Sequence, residues 1–149
     1  MAKIDKELNS RFDSDKYRMI ANIIFTGNWL KSLYVEFLRP YGLSSQQFNI
    51  LRILRGEGDW LPMSVVKERM IERAPNATRL ADKMLAKNLL ERERSAEDRR
   101  VVFVRITQDG LDLLKKIDVD LDGFNEGHID RFTEKEAKMV SEVLDKMRG

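Results

Sequence analysis

The stretch MSVVKERM-IERAPNATRL-ADKMLAKNLL-ERERSAEDRR-VVFVRI, residues 63–106, decides the fold. A short apolar-periodic helix over 64–70 is followed by a turn over 71–74 and a second helix over 75–88. The second helix sets Ala77, Leu80, Ala81, Met84 and Leu85 on one face, the i, i+3, i+4, i+7 spacing of a helix docked on a core. Arg79, Asp82, Lys83 and Ala86 fall on the other face. Pro75 suits a first helical turn, where its missing N–H has no intrahelical acceptor, and Asn88 tolerates a left-handed position at the far end. Residues 89–94 and 101–106 then read as strands, the second rich in β-branched side chains. Between them Ser95-Ala96-Glu97-Asp98-Arg99-Arg100 is too polar to be buried and reads as an exposed hairpin tip. Helix, turn, helix and hairpin in this order predict a winged helix-turn-helix.

Charge is concentrated in the same stretch. Residues 63–106 carry eleven Lys/Arg against seven Asp/Glu, a local +4, whereas the rest of the chain carries sixteen against eighteen; the overall +2 hides this asymmetry. A basic helix face beside a basic hairpin suits a duplex. Cations meet phosphates, a helix fits the major groove, and a thin Arg-tipped loop reaches the narrower minor groove.

The run Leu89-Leu90-Glu91-Arg92, then Glu97-Asp98-Arg99-Arg100-Val101-Val102-Phe103-Val104, then Ile106-Thr107-Gln108-Asp109-Gly110 resembles the signature of MarR-type (multiple antibiotic resistance regulator) transcriptional regulators. In that signature an L-x-R strand precedes a D-x-R wing tip, a second strand, and L/I-T-x-x-G opening the next helix. The resemblance extends over nearly the whole chain, because the flanking helices fall in the same order. Two departures are Asn88, where the family usually has Gly, and the longer, more aromatic junction 56–62 with Trp60.

With 149 residues, 35% charged and 42% hydrophobic, the chain suits one domain (1–149) with a core of its own. No apolar run approaches the roughly 18 residues of a membrane span, and Met1-Ala2-Lys3-Ile4-Asp5 opens no signal peptide, so a cytoplasmic setting is expected. These residues include no cysteine, which agrees with a reducing compartment and rules out a thiol-based peroxide switch.

Residues 1–13 are weakly patterned and read as a frayed arm. From Tyr17 to Leu38 a helical apolar period runs until Arg39-Pro40 stops it. Such a helix is about 33 Å long, more than one small domain covers, so a partner chain is its natural cover. Ser44-Ser45-Gln46-Gln47 is a capping box, opening a helix that carries Phe48, Ile50, Leu51 and Leu54 and stops at Gly56. After the hairpin, Thr107 caps a long helix with Leu111, Leu114, Ile117, Leu121 and Phe124. Asn125-Glu126-Gly127-His128 reads as an interhelix loop. A second capping box at Thr133 and Glu136 opens a final helix with Ala137, Val140, Leu144 and Met147 in heptad-like spacing. Segments 14–39 and 107–149 are therefore the expected dimerisation helices, and 44–106 the DNA-binding winged helix. The family resemblance implies the same homodimer.

Each candidate DNA contact has a plainer reading. Arg79 points outward from the middle of the recognition helix, where a lone helix would merely solvate it. Lys83 is either a phosphate contact or neutralised by Asp82. Asn76 and Thr78 lie near the helix start, where bases or phosphates are met but ordinary capping is equally served. Asp98 is repelled by phosphate; beside Arg99 and Arg100 it can instead accept from Arg100 and hold that guanidinium extended, or belong to a solvated mixed-charge turn. The D-x-R match favours Arg100 over Arg99 as the groove residue.

His128, alone and without cysteines, makes a poor metal site and reads as a surface or capping residue. Tyr17, Phe25, Trp29, Tyr34, Phe37 and Phe48 read mostly as core; the resemblance implies a pocket for a small aromatic or phenolic ligand among the helices. No cofactor is expected. Gly-rich phosphate loops, nucleophile elbows and Cys/His pairs are missing, and the carboxylates alternate with lysines on helix faces, so catalysis is not expected either. The expected function is a ligand-responsive homodimeric repressor binding double-stranded DNA at a pseudo-palindromic operator. The alternative is a winged-helix protein-interaction module without specific DNA binding.

Overall fold

The computed structural model describes residues 3–149. A short helix, α1 (Ile4–Glu7), precedes the long α2 (Asp15–Leu38), which opens on Ser14, whose Oγ accepts from the Tyr17 N–H at 3.3 Å. Helix α2 ends where Arg39-Pro40-Tyr41 tightens into a 3-10 turn, Pro40 supplying no donor for another α-helical bond. The capping box forms as expected: Gln47 N–H donates to Ser44 Oγ at 3.1 Å and Ser44 N–H to Gln47 Oε1 at 3.0 Å. The helix it opens, α3 (Ser45–Glu57), runs past Gly56 and is closed by Gly58, which takes the left-handed conformation at φ 74°.

Then come β1 (Leu61–Pro62), α4 (Met63–Arg69), α5 (Ala77–Ala86), β2 (Leu90–Arg94) and β3 (Val102–Ile106), followed by α6 (Gln108–His128) and α7 (Glu134–Arg148). The three strands form an antiparallel sheet in the order β1-β3-β2, with Leu90 opposite Ile106, Arg92 opposite Val104 and Arg94 opposite Val102. The two-residue β1 escapes sequence periodicity. It pairs with β3 through Leu61–Val104 and Pro62–Phe103, at an edge where proline is tolerated. Trp60, just before it, lies beneath the Arg105 guanidinium at 4.6 Å, so the aromatic junction serves to seat this third strand.

Leu38, Leu51, Leu54, Val66, Met84, Leu90, Val104, Leu114 and Ile117 form a continuous buried core inside the winged unit. Each such side chain contributes about 1.5–3 kcal/mol by leaving water. The α5 residues Ala77, Leu80, Ala81 and Met84 face this core as the periodicity requires. Among the described residues Leu38 is the only buried one on α2, and α7 contributes none.

Three further expectations need correction. Pro75 is not in the first turn of α5. It lies in the preceding turn, closed by Ala77 N–H donating to Ala74 O at 3.0 Å, where proline's fixed φ suits the second turn position. The arm over 1–13 is not wholly frayed: Met1 and Ala2 lie outside the described residues, but α1 forms within it, with Ile4 buried and Asp5 accepting from Arg18 Nε at 3.1 Å. Finally, α6 continues through the expected loop to His128. The His128 ring meets Phe124 at 4.9 Å and Trp29 at 5.7 Å, and this packing outweighs the poor helix propensity of Asn125 and Gly127.

Candidate nucleic-acid interface

The recognition helix is fixed at its C-terminus and braced along its length. Asn88 adopts φ 56°, with Leu89 N–H donating to Met84 O and Asn88 N–H to Leu85 O, both at 2.9 Å. This pair of bonds is a Schellman closure, which Asn can make in place of the usual Gly. The Asn88 amide also donates to Asp109 Oδ2 at 2.7 Å, tying α5 to the start of α6. On the solvent side of the helix Thr78, Arg79, Asp82 and Lys83 are all exposed. Asn76 occupies the N-cap position but its side chain does not cap the helix. The capping role that competed with a DNA role for Asn76 is therefore not filled.

Asp82 does not neutralise Lys83; its carboxylate accepts from Arg92 Nη1 at 2.6 Å, bracing the recognition helix against strand β2. Arg79, Lys83, Arg94, Arg99 and Lys67 make no ion pair among the described residues. Their charge is thus available to an external anion.

At the wing tip Asp98 Oδ1 accepts from the Arg100 backbone N–H at 3.0 Å and from its Nε at 3.1 Å, while Oδ2 accepts from Nη2 at 3.2 Å. The Ser95 hydroxyl accepts from the Glu97 and Asp98 amides, and Ser95 N–H donates to Val101 O, closing the tip. The side-chain bond from Arg100, followed by the backbone one, holds the Asp98 carboxyl below its ordinary pKa. Because the folded value is lowered, this ordering is complete above the ordinary carboxylate range and is lost only as pH falls through the lowered value. The Arg100 side chain itself stands 92% exposed.

Between α4, α5 and the wing runs a groove of about 460 Å³ bordered by Ser64, Lys67, Thr78, Arg92, Arg94 and Arg100. It unites Thr78 on the helix with Arg100 on the wing. Ser64, Lys67, Arg92 and Arg94 are the residues the sequence reading did not single out. For the two arginines a signal exists in the sequence: positions two apart on a strand share a face. The six aromatics considered for a pocket do not share one. Tyr34 and Phe48 border a cavity of about 320 Å³, whereas Phe25 and Trp29, again with Tyr34, border one of about 700 Å³ near Ile4 and Phe132. Tyr17, Phe25 and Trp29 are exposed rather than core. Among the described residues no helix is long and apolar enough to cross a membrane, and no cluster of three or more acidic or histidine side chains is arranged to hold a metal.

Comparison with known proteins agrees with this geometry. Residues 41–101 match the family model described as the MarR family. The HTH-type transcriptional regulator MhqR of Bacillus subtilis is 31% identical over 112 residues, covering 75% of this chain and 77% of that protein. Among solved structures, a MarR transcription factor from Planctomyces limnophilus is 30% identical with a TM-score of 0.71, covering 93% of this chain and 98% of its own. A mutant MarR from E. coli, solved in complex with operator DNA, superposes with a TM-score of 0.73 over 92% of this chain and 99% of its own, at 22% identity. These relatives are transcription regulators, in line with the expectation that the chain is not an enzyme. With a mainly helical architecture, a recognition helix braced against a D-x-R wing and relatives of this closeness, the chain belongs to the MarR family of transcriptional regulators.

Proposed function

We propose that the chain works as a homodimeric repressor in the cytoplasm, binding double-stranded DNA at a pseudo-palindromic operator and releasing it in response to a small ligand. The observation that carries this reading is the groove that brings Lys67, Thr78, Arg94 and Arg100 together between the recognition helix and the wing, beside exposed Arg79, Lys83 and Arg99 that make no ion pair among the described residues. In this reading α5 lies in the major groove, with Arg79 and Lys83 toward bases or phosphates and Asn76 and Thr78 at the helix start. Arg100 enters the minor groove, with Arg99 beside it on the backbone. The operator complex of the E. coli protein supports the same docking here.

Dimerisation is supported by the apolar surface left on the terminal helices. Tyr17 and Ile24 on α2 are 67% and 60% exposed, and Met139, Val140, Val143 and Met147 on α7 are each about half exposed. Pairing α2, α6 and α7 with a second copy would remove this surface from water and set two recognition helices about one DNA turn apart. The test is to select fragments of the source genome with the full-length protein and sequence them. An inverted repeat with half-sites about 10 bp apart is expected; recovery of unenriched genomic sequence would reject the operator reading.

A further inference from the structure

Helix α6 is gripped on both flanks at the point where it leaves the core. Ile117 is its last buried residue, and beyond it Phe124 meets Tyr34 and Phe37 of α2 at 5.3 and 5.1 Å. At about 100° per residue, Asp118 and Asp120 fall on opposite sides of the stripe through Leu114, Ile117 and Leu121. Each meets a different part of the winged unit. From α3, Arg55 Nη1 donates to Asp118 Oδ2 at 2.5 Å and Nη2 to Oδ1 at 3.5 Å. From the turn after α2, the Tyr41 hydroxyl donates to Asp120 Oδ2. The same turn holds the recognition helix, because Lys87, at the C-terminal end of α5, donates from Nζ to Gly42 O at 2.7 Å. Gly42 closes that turn in the left-handed conformation at φ 65°, its N–H donating to Arg39 O at 3.0 Å. The recognition helix is thereby joined to α6 through two side-chain bonds and one tight turn.

The apolar stripe seats α6 but does not orient it, since burial is non-directional and opposes little roll of a helix about its own axis. A guanidinium on one flank and a hydroxyl on the other make directional bonds that oppose roll in both senses. We propose that Arg55, Tyr41 and Lys87 are positioning residues that fix the angle between α5 and α6, and through it the half-site spacing that the protein accepts. The inference rests on the reading of the chain as a dimer on an operator. With α6 in the dimer contact, the angle held at this clamp is repeated in both protomers and sets where the second recognition helix falls. One base pair added between half-sites turns the second by about 34° and moves it by about 3.4 Å. A dimer whose angle is held must twist the duplex to follow, whereas a released one turns its own winged units instead.

The experiment measures binding of the full-length protein to three duplexes: the selected operator, and the same half-sites with one central base pair added or removed. The wild type is compared with Tyr41→Phe, Asp118→Asn, their double variant and Lys87→Met. The wild type should bind either altered spacing roughly tenfold more weakly than the operator, the cost of twisting a short duplex. The double variant should lose only about two- to threefold on altered spacing, while binding the operator itself more weakly because its geometry is no longer preorganised. Each single variant and Lys87→Met should fall between these limits. A partly unfolded protein, or one that has merely lost a phosphate contact at Lys87, weakens on all three duplexes alike and leaves the ratio between them unmoved. Wild-type ratios in both single variants and in Lys87→Met overturn the proposal, whether or not the double variant folds. A wild type that binds the three spacings equally overturns the reading as a dimer on an operator, and the positioning role with it; a selective wild type with equally selective variants overturns the positioning role alone.

Discussion

Gly110 opens α6 where that helix crosses the link between α5 and β2, and a methyl group there should be costly. A Cβ at this position would sit 2.4 Å from the Leu89 carbonyl oxygen and 2.7 Å from Ile106 Cγ1. The isoleucine can turn aside, but the carbonyl belongs to the backbone and accepts from the Thr107 N–H at 3.2 Å. Thr107 in turn donates its hydroxyl to Asn88 O at 2.6 Å and accepts from the Gly110 N–H at 3.1 Å. Gly110→Ala must therefore move a bonded backbone segment. Overpacking costs about 1–3 kcal/mol and the disturbed hydrogen bond about 1 more, offset by about 0.5–1 kcal/mol of helix propensity gained. The net destabilisation is about 1–3.5 kcal/mol, or about 2–14 °C in Tm for a chain of this size. The control is Gly56→Ala in α3, where a Cβ meets nothing within 4 Å and the same exchange should stabilise by about 0.5–1 kcal/mol. Thermal unfolding followed by circular dichroism at one protein concentration measures both. If Gly110→Ala melts within about 1 °C of the wild type, the steric account of this position is wrong.

At the wing, Arg100→Ala should flatten the salt dependence of operator binding by about one unit per wing, whereas Asp98→Ala should lower affinity with the slope nearly unchanged, because it removes the orienter and keeps the cation. Fluorescence anisotropy over a salt series distinguishes them, and identical slopes for both variants would remove the orienting role from Asp98. The Tyr41 hydroxyl donates to Asp120, and this bond, with burial and the nearby carboxylate charge, raises its pKa from 10.0 to about 12. A raised value stabilises fully below pH 10 and is lost as pH climbs toward about 12, so the stability gap between wild type and Tyr41→Phe should be constant below pH 10 and shrink above it. Removing residues 133–149 should abolish dimers in sedimentation and weaken operator binding with them; a folded monomeric wild type at micromolar concentration would contradict the premise.

What the sequence disclosed, and what it hid, follows from how local each determinant is. Ser44 with Gln47, Thr107, Thr133 with Glu136, and Asn88 act within four residues of themselves, so their caps and turn are legible and form as expected. The inward face of α5 and the Asp98–Arg100 clasp are likewise local. Strand β1 exists only because Val104 and Phe103, some forty residues away, supply its partner. The continuation of α6 depends on Trp29 meeting His128, and burial of Ile4 on docking of α1 against α2, neither of which periodicity encodes. The same holds for the site: Arg79, Lys83 and Arg100 were visible as charges on a face, but the pairing of Asp82 with Arg92, across ten residues, needed the fold.

The central claim, that α5 and the wing together form a sequence-reading DNA surface, is tested most directly by comparing Arg79→Ala with the wild type on a selected operator and on a scrambled duplex across a salt series. The wild type should prefer the operator, and its affinity should fall steeply with salt as phosphate counterions are released. Arg79→Ala should lose about 1–3 kcal/mol on the operator and much less on the scrambled duplex. Equal loss on both duplexes would make Arg79 a phosphate contact only. Wild-type binding that neither prefers the operator nor depends on salt would contradict the claim itself.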